Sequence, residues 1–250
     1  MTTVAEHDRP AERTHRHTHG DPVTRLLAVR HGETAWNVGQ RIQGFLDIPL
    51  NERGHWQAER VARALAHEDL AAVYASDLSR AYATAEALAK PHGLSVVREP
   101  GLRERCFGHF EGQCFAEIEA QWPDQARRWR ERDPDFAPDG GENLQQFFAR
   151  VTQTVSALAA RHPGAAIAIV AHGGVMDCLY RAASHLPLQA PRAWELSNAA
   201  INRLLFTPQG FHIVGWGDTL HLDGLSEDDT DGLRKSVDSN QPPATDAISR

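Results

Sequence analysis

The sequence predicts an α/β domain in which a mostly parallel central sheet lies between two layers of helices. Three observations carry this. Short apolar runs alternate along the chain with segments of amphipathic helical spacing, the pattern of strands joined by helical crossovers. Two of the core runs stop at a His-Gly pair, a composition suited to the ligand-facing carboxyl edge of such a sheet. The pattern then closes on two β-rich runs joined by three residues, which reads as an antiparallel hairpin.

The elements follow in order. TRLLAVR at 24–30 is a buried strand. GHWQAERVARALAHE at 54–68 has the apolar spacing of a surface helix, and LAAVYAS at 70–76 is the second strand. SRAYATAEALAKPHG at 79–93 is a helix ended by Pro91 and Gly93, and LSVVREP at 94–100 is the third strand. Residues 113–138 read as helical but broken at Pro123 and Pro134. Residues 142–164 form the longest helix, stopped by Pro163-Gly164. AAIAIVA at 165–171 is the most apolar strand, followed by a helix at 175–184. AINRLLF at 200–206 and GFHIVGW at 210–216 make the hairpin.

Outside this pattern, residues 1–22 and 223–250 are polar or acidic and lack a periodic apolar face, so both are expected to be disordered tails around one domain at 23–222. His15, His17 and His19 alternate in the first tail; a d-block metal ion is one reading of them and a solvated arm the other. The net charge of −7 argues against affinity for nucleic acid. Three cysteines without a C-x-x-C pair argue against a disulfide framework and fit a reducing cytoplasm. No apolar run approaches the ~20 residues needed to span a bilayer. Only two of the 26 basic residues are lysines, a bias of composition that says nothing by itself. The protein is expected to be a monomer or homodimer that engages no nucleic acid or membrane.

Chemistry gathers at the strand ends. His31 follows the first strand in Arg30-His31-Gly32-Glu33-Thr34, and His172 follows the most apolar strand in Ala171-His172-Gly173-Gly174. Glycine beside each allows a ligand to approach the backbone closely. Arg30 ends a core strand, where an unpaired guanidinium is costly, so it requires an anionic partner: a protein carboxylate or a ligand phosphate. Arg80 stands just beyond the second strand, at the same edge. Two arginines and two histidines there describe a pocket for an anion, most plausibly a phosphoryl group.

The ordered set Arg30-His31-Gly32-Glu33-Thr34 with Trp36-Asn37, Gln43-Gly44, Pro49-Leu50, Gly54 and Gln57-Ala58 resembles the histidine phosphatase superfamily, which includes the phosphoglycerate mutases. Ser76-Asp77-Leu78 with Arg80-Ala81 and Thr84-Ala85, Leu102-Arg103-Glu104, Phe107-Gly108 with Phe110-Glu111-Gly112, Gly140-Gly141-Glu142 and Ala171-His172-Gly173-Gly174 extend the match over roughly 24–220. The resemblance implies a phosphoglycerate mutase-like fold with a helical lid at about 105–141. It implies His31 as the nucleophile that becomes phosphohistidine and Glu104 as proton donor and acceptor. Arg30, Arg80 and His172 are implied in the phosphate pocket, with Asn37, Gln43, Gly44 and Gly173 around the substrate. Without the resemblance, Glu104 reads as a surface acid between Arg103 and Arg105. Asn143 departs from the family pattern, in which Ser commonly follows Gly-Glu, and is expected to loosen or re-aim a contact on the phosphate side.

The chemistry needs one tautomer. One imidazole nitrogen attacks phosphorus, so the other must hold the proton, fixed by an acceptor such as a backbone carbonyl. Arginines supply the positive charge, so neither a metal nor a cofactor is expected. The phosphoryl group then passes to water or to a bound phosphoglycerate. The mutases of the family carry a longer insertion and a lysine eleven residues past the acidic glutamate; here that position is Phe115. Phe107, Phe110, Phe115 and Trp122 suggest a lid with apolar faces. Arg105 does match a mutase substrate contact. The sequence therefore favours a phosphomonoesterase acting on a small phosphorylated metabolite, with a phosphoglycerate mutase as the alternative and a non-catalytic phospho-ligand binder behind it.

Overall fold

A computed structural model describes residues 23–223; the two tails, including His15, His17 and His19, lie outside the described residues. Six strands make one sheet: β1 (Thr24–Arg30), β2 (Leu70–Ala75), β3 (Val96–Arg98), β4 (Ala166–Ala171), β5 (Ile201–Thr207) and β6 (Gly210–Asp218). Their order is β3-β2-β4-β1-β5-β6. β1, β2, β3 and β4 pair in parallel, and β5 and β6 form the expected antiparallel hairpin.

Alternate residues of each central strand serve opposite faces, as the pleat requires. Leu26, Ala28, Ile167 and Ile169 pack against α6 (Leu144–Ala159) and α7 (Gly173–Ser184). Leu27, Val29, Ala168 and Val170 pack against α2 (Glu52–Leu65) and α3 (Ser79–Ala89). The three layers follow from this division. α6 buries Phe147, Val151, Val155 and Leu158, a stripe at helical spacing, each contributing roughly 1.5–3 kcal/mol by leaving water.

Several boundaries differ from the sequence expectation, each for a local reason. α2 begins at Glu52 because Asn51 caps it, its side chain accepting from the Gly54 N–H, and it ends at Leu65 rather than 68. β3 keeps only three residues of 94–100: it is an edge strand paired with β2 alone, and Glu99 then caps a 3₁₀ turn at Pro100–Leu102. The four-residue helix α1 (Ala35–Val38) is too short for periodicity to show; Thr34 and Asn37 form its capping box. The broken helical stretch is α4 (Phe115–Gln121) and α5 (Pro123–Arg130), with Pro123 opening the second helix rather than only ending the first. α7 starts at Gly173, two residues before the expected 175.

Between Glu104 and Glu142, α4 and α5 enclose an aromatic cluster of their own around Phe110, Ile118, Ala126 and Phe136, with Phe107, Trp122 and Trp129 against it. No helix among the described residues is long and apolar enough to cross a membrane.

Candidate active site

The sheet itself aligns the two histidines. β1 and β4 are adjacent and in register Arg30↔Ala171, so the residues that follow, His31 and His172, emerge side by side. Their ring centroids are 5.2 Å apart, edge to face at 63°. His31 Nδ1 lies 2.6 Å from the Gly32 carbonyl oxygen. A carbonyl only accepts, so Nδ1 carries the proton and Nε2 keeps its lone pair, the tautomer that the chemistry needs. His172 Nε2 is hydrogen-bonded to Ser76 Oγ at 2.8 Å, and its Nδ1 is buried without a protein partner among the described residues. Burial lowers both pKa values well below 6.5, and the Arg30 and Arg80 charges push in the same direction. Both rings are therefore neutral.

Arg80 sits in the first turn of α3 with no exposure. Its Nη1 donates to Leu46 O at 2.8 Å and its Nη2 to Gly44 O at 2.9 Å, while Nε is buried and unpaired. Arg30 donates through Nη1 to Leu196 O and likewise keeps a buried, unpaired Nε. Of the two partners open to Arg30, no protein carboxylate hydrogen-bonds it among the described residues. Burial lowers the Arg80 pKa to about 10, opposed by Glu104, Asp47 and Glu111. Two guanidinium groups are thus held in a desolvated corner chiefly by backbone carbonyls, which neutralise no charge.

Glu104 faces this corner from the start of the insertion. Its Oε1 accepts from the Arg105 N–H at 2.8 Å and its Oε2 from the Gly174 N–H at 3.0 Å, at the N-terminus of α7. Gly174 is required there, since a Cβ would stand 2.1 Å from Glu104 Oε1. Gly173 packs directly on Arg30, whose Nε is 3.4 Å from where a Cβ would be.

A cavity of about 170 Å³ is lined by Arg30, His31, Asn37, Gln43, Gly44, Arg80 and Glu104, among others. That is about five to six water volumes at ~30 Å³ each, a space for one phosphoryl group. Gly44 adopts φ +50°, turning its carbonyl toward Arg80, and Gln43 Oε1 is buried without a partner. His172 is fully buried and is not among the residues lining this space. Phe107 lines it, whereas Phe110 and Trp122 belong to the aromatic cluster of the insertion. A second cavity of about 680 Å³ adjoins it and shares Arg30, Glu104 and Phe107.

Two sequence expectations change. Arg105 is 3% exposed and is held by Glu142 O at 2.8 Å and Phe136 O at 2.9 Å. It thus braces the insertion and borders the second cavity rather than the first. Asn143 makes no contact on the phosphate side; its side chain accepts from the Gln146 N–H and caps α6, as a serine there would.

Three supporting residues carry no role in the sequence reading. Ser76 holds His172; it belongs to the motif Ser76-Asp77-Leu78, which gave it no role of its own. Thr84 Oγ1 accepts from the Gly32 N–H at 3.1 Å. Asn198 donates through Nδ2 to His31 O at 3.0 Å and to Asn37 Oδ1 at 3.3 Å. A lone asparagine so distant in sequence gives no warning of this.

Residues 26–219 match the family model of the histidine phosphatase superfamily (branch 1). The chain is 37% identical over 202 residues to phosphoglycerate mutase-like protein 4 of Arabidopsis thaliana, covering 79% of this chain and 86% of the relative. It is 35% identical over 206 residues to a metal-independent phosphoserine phosphatase of the same organism, covering 81% and 85%. A mycobacterial glucosyl-3-phosphoglycerate phosphatase solved with VO3 superposes with a TM-score of 0.70 at 34% identity, covering 78% of this chain and 99% of that one.

Proposed function

The chain belongs to the histidine phosphatase superfamily (branch 1), and on that premise we propose that it is a phosphomonoesterase working through phosphohistidine at His31 on a small phosphorylated metabolite. One observation carries this reading: a neutral imidazole with Nδ1 tied to Gly32 O and Nε2 free, in a phosphoryl-sized cavity beside the fully buried Arg80 and the partly buried Arg30.

His31 Nε2 attacks phosphorus as the ester P–O bond breaks. Glu104, protonated for this step, gives its proton to the departing alkoxide. Glu104 then takes a proton from water, the water oxygen bonds to phosphorus, the P–N bond breaks, and His31 returns to its neutral form. Arg30 and Arg80 stabilise the phosphoryl oxygens throughout. Their unpaired Nε–H groups, each costing about 1–3 kcal/mol while unsatisfied, are donors held in readiness for an anion. His172, locked to Ser76, borders His31 and offers its remaining nitrogen to the same group.

Release to water is favoured over transfer to a second substrate. Arg105, the residue matching a mutase contact, is committed to two carbonyls, and Phe115 lies on α4 against Trp129. The test is phosphate release from a panel of monoesters, with and without chelator, beside an assay for interconversion of 2- and 3-phosphoglycerate. Phosphate release unaffected by chelator, with little interconversion, is expected. Interconversion without phosphate release would overturn the hydrolytic reading.

A further inference from the structure

The cavity of about 680 Å³ has about four times the volume of the 170 Å³ cavity beside His31, and its charge is unbalanced. Five arginines line it (Arg30, Arg105, Arg132, Arg181 and Arg192) against three acids, Glu104, Asp177 and Glu195. Four of the five are committed. Arg30 and Arg105 are held by carbonyls, as described. Arg181 donates to Asp177 and to the carbonyls of Pro187 and Ala190. Arg132 shares the same Asp177 at 2.9 Å and donates to Leu188 O. Arg192 has neither carboxylate nor carbonyl partner among the described residues. Its charge nevertheless reaches the site: after burial, and against the opposing effect of Glu104, it is the further influence lowering the Arg30 pKa.

The segment that carries Arg192 is braced. Arg181, Arg132 and Arg30 grip its carbonyls at Pro187, Leu188, Ala190 and Leu196, and Trp194 stacks on Tyr180 at 4.0 Å. A surplus cation on a pinned segment, at the exposed rim of the cavity that adjoins the phosphoryl site, is suited to an anion on the departing alcohol. We propose that this cavity receives the alcohol half of the ester and that Arg192 pairs with a second anionic group on it, so that the preferred substrates are monoesters of acidic alcohols. This rests on the phosphatase reading above.

The test compares kcat/KM for three esters: glycerol 3-phosphate, whose alcohol is neutral, 3-phosphoglycerate, which adds a carboxylate, and propane-1,3-diol bisphosphate, which adds a second phosphate. Wild type is expected to prefer one or both anionic esters, and which one identifies the anion. Arg192→Ala should reduce that preference by about 10- to 100-fold, the range of a charged hydrogen bond, and Arg192→Lys should restore part of it. An ester turned over too slowly is read as a competitive inhibitor of 4-nitrophenyl phosphate hydrolysis, with the same pattern expected in Ki. A preference unchanged in Arg192→Ala, or absent in wild type, overturns the assignment. A wild-type protein inactive on nitrophenyl phosphate and on all three esters would instead overturn the phosphatase reading, and this inference with it.

Discussion

The rings of His31 and His172 meet edge to face at 5.2 Å, and each is tied through one nitrogen only, His31 to a carbonyl and His172 to a hydroxyl. Two adjacent imidazoles cannot both be charged in a desolvated site that also holds two guanidinium groups. Their neutrality is therefore a structural condition as well as a chemical one.

That condition gives a pH dependence of stability. Both pKa values are lowered in the folded chain, so the unfolded chain binds more protons once the pH falls below about 6.5. The stability due to the neutral pair is complete above that value and is lost as the pH falls below it. Each histidine should add a slope of up to about 1.4 kcal/mol per pH unit. Denaturant melts between pH 7.5 and 5 should show this steepening, and His172→Gln should reduce it. An unchanged slope would mean that the pair is not held neutral.

The nucleophile proposed here, His31, can be tested by trapping. Enzyme quenched in alkaline detergent during turnover of a labelled ester should carry label that is stable in base and lost in acid. His31→Ala should carry none, and its turnover should fall to background. Label on His31→Ala would move the phosphoryl acceptor elsewhere.

Arg80 joins a charge to a scaffold, since its two terminal nitrogens hold Gly44 O and Leu46 O. Lysine is a point charge and cannot reproduce that fork. Arg80→Lys should lower kcat/KM on the order of 10²-fold or more and raise the Ki of product phosphate. Wild-type kinetics in this variant would remove Arg80 from the phosphoryl site.

Glu104 accepts from two backbone N–H groups, so Glu104→Gln turns an amide NH₂ toward one donor as well as losing the transferable proton. Leaving groups separate the two effects. Phosphorylation of His31 from an alkyl phosphate should slow by ~10²–10⁴-fold in single-turnover experiments. From nitrophenyl phosphate, whose leaving group departs as a stable anion, the loss should be far smaller. Equal losses would assign Glu104 a purely positional role, and His172 would become the next candidate for the acid.

What could be read in the sequence was whatever repeats or stops abruptly. β1 and β4 are apolar runs with sharp ends, and those ends located His31 and His172 without any coordinates. The hairpin of β5 and β6 was visible for the same reason. Arg80 was legible from its place just beyond β2, whereas Glu104 needed the ordered motif set, because a glutamate between arginines is unremarkable locally. Asn198, Thr84 and Ser76 act through hydrogen bonds that reach across the fold, and such contacts leave no periodic trace. Arg192 is one of many arginines, and only the pairing of its neighbours sets it apart. The strand pattern at 94–100 overruns β3 because its residues suit a strand, while the sheet offers them one partner and an early turn.

The strand order has a consequence for how the protein comes into being. β1 and β2 are made first, yet they are not neighbours: β4, made much later, lies between them and pairs with both. A growing chain that has not reached β4 has no continuous sheet and holds His31 without its neighbour. Insertion of that one strand closes the sheet and brings the second histidine into place in the same event, a long-range step of the kind that slows folding. A chain cut before β4 therefore keeps Arg30 and His31 without His172, and the site is complete only when the residues beyond β4, among them Gly174 and Asn198, have also been made.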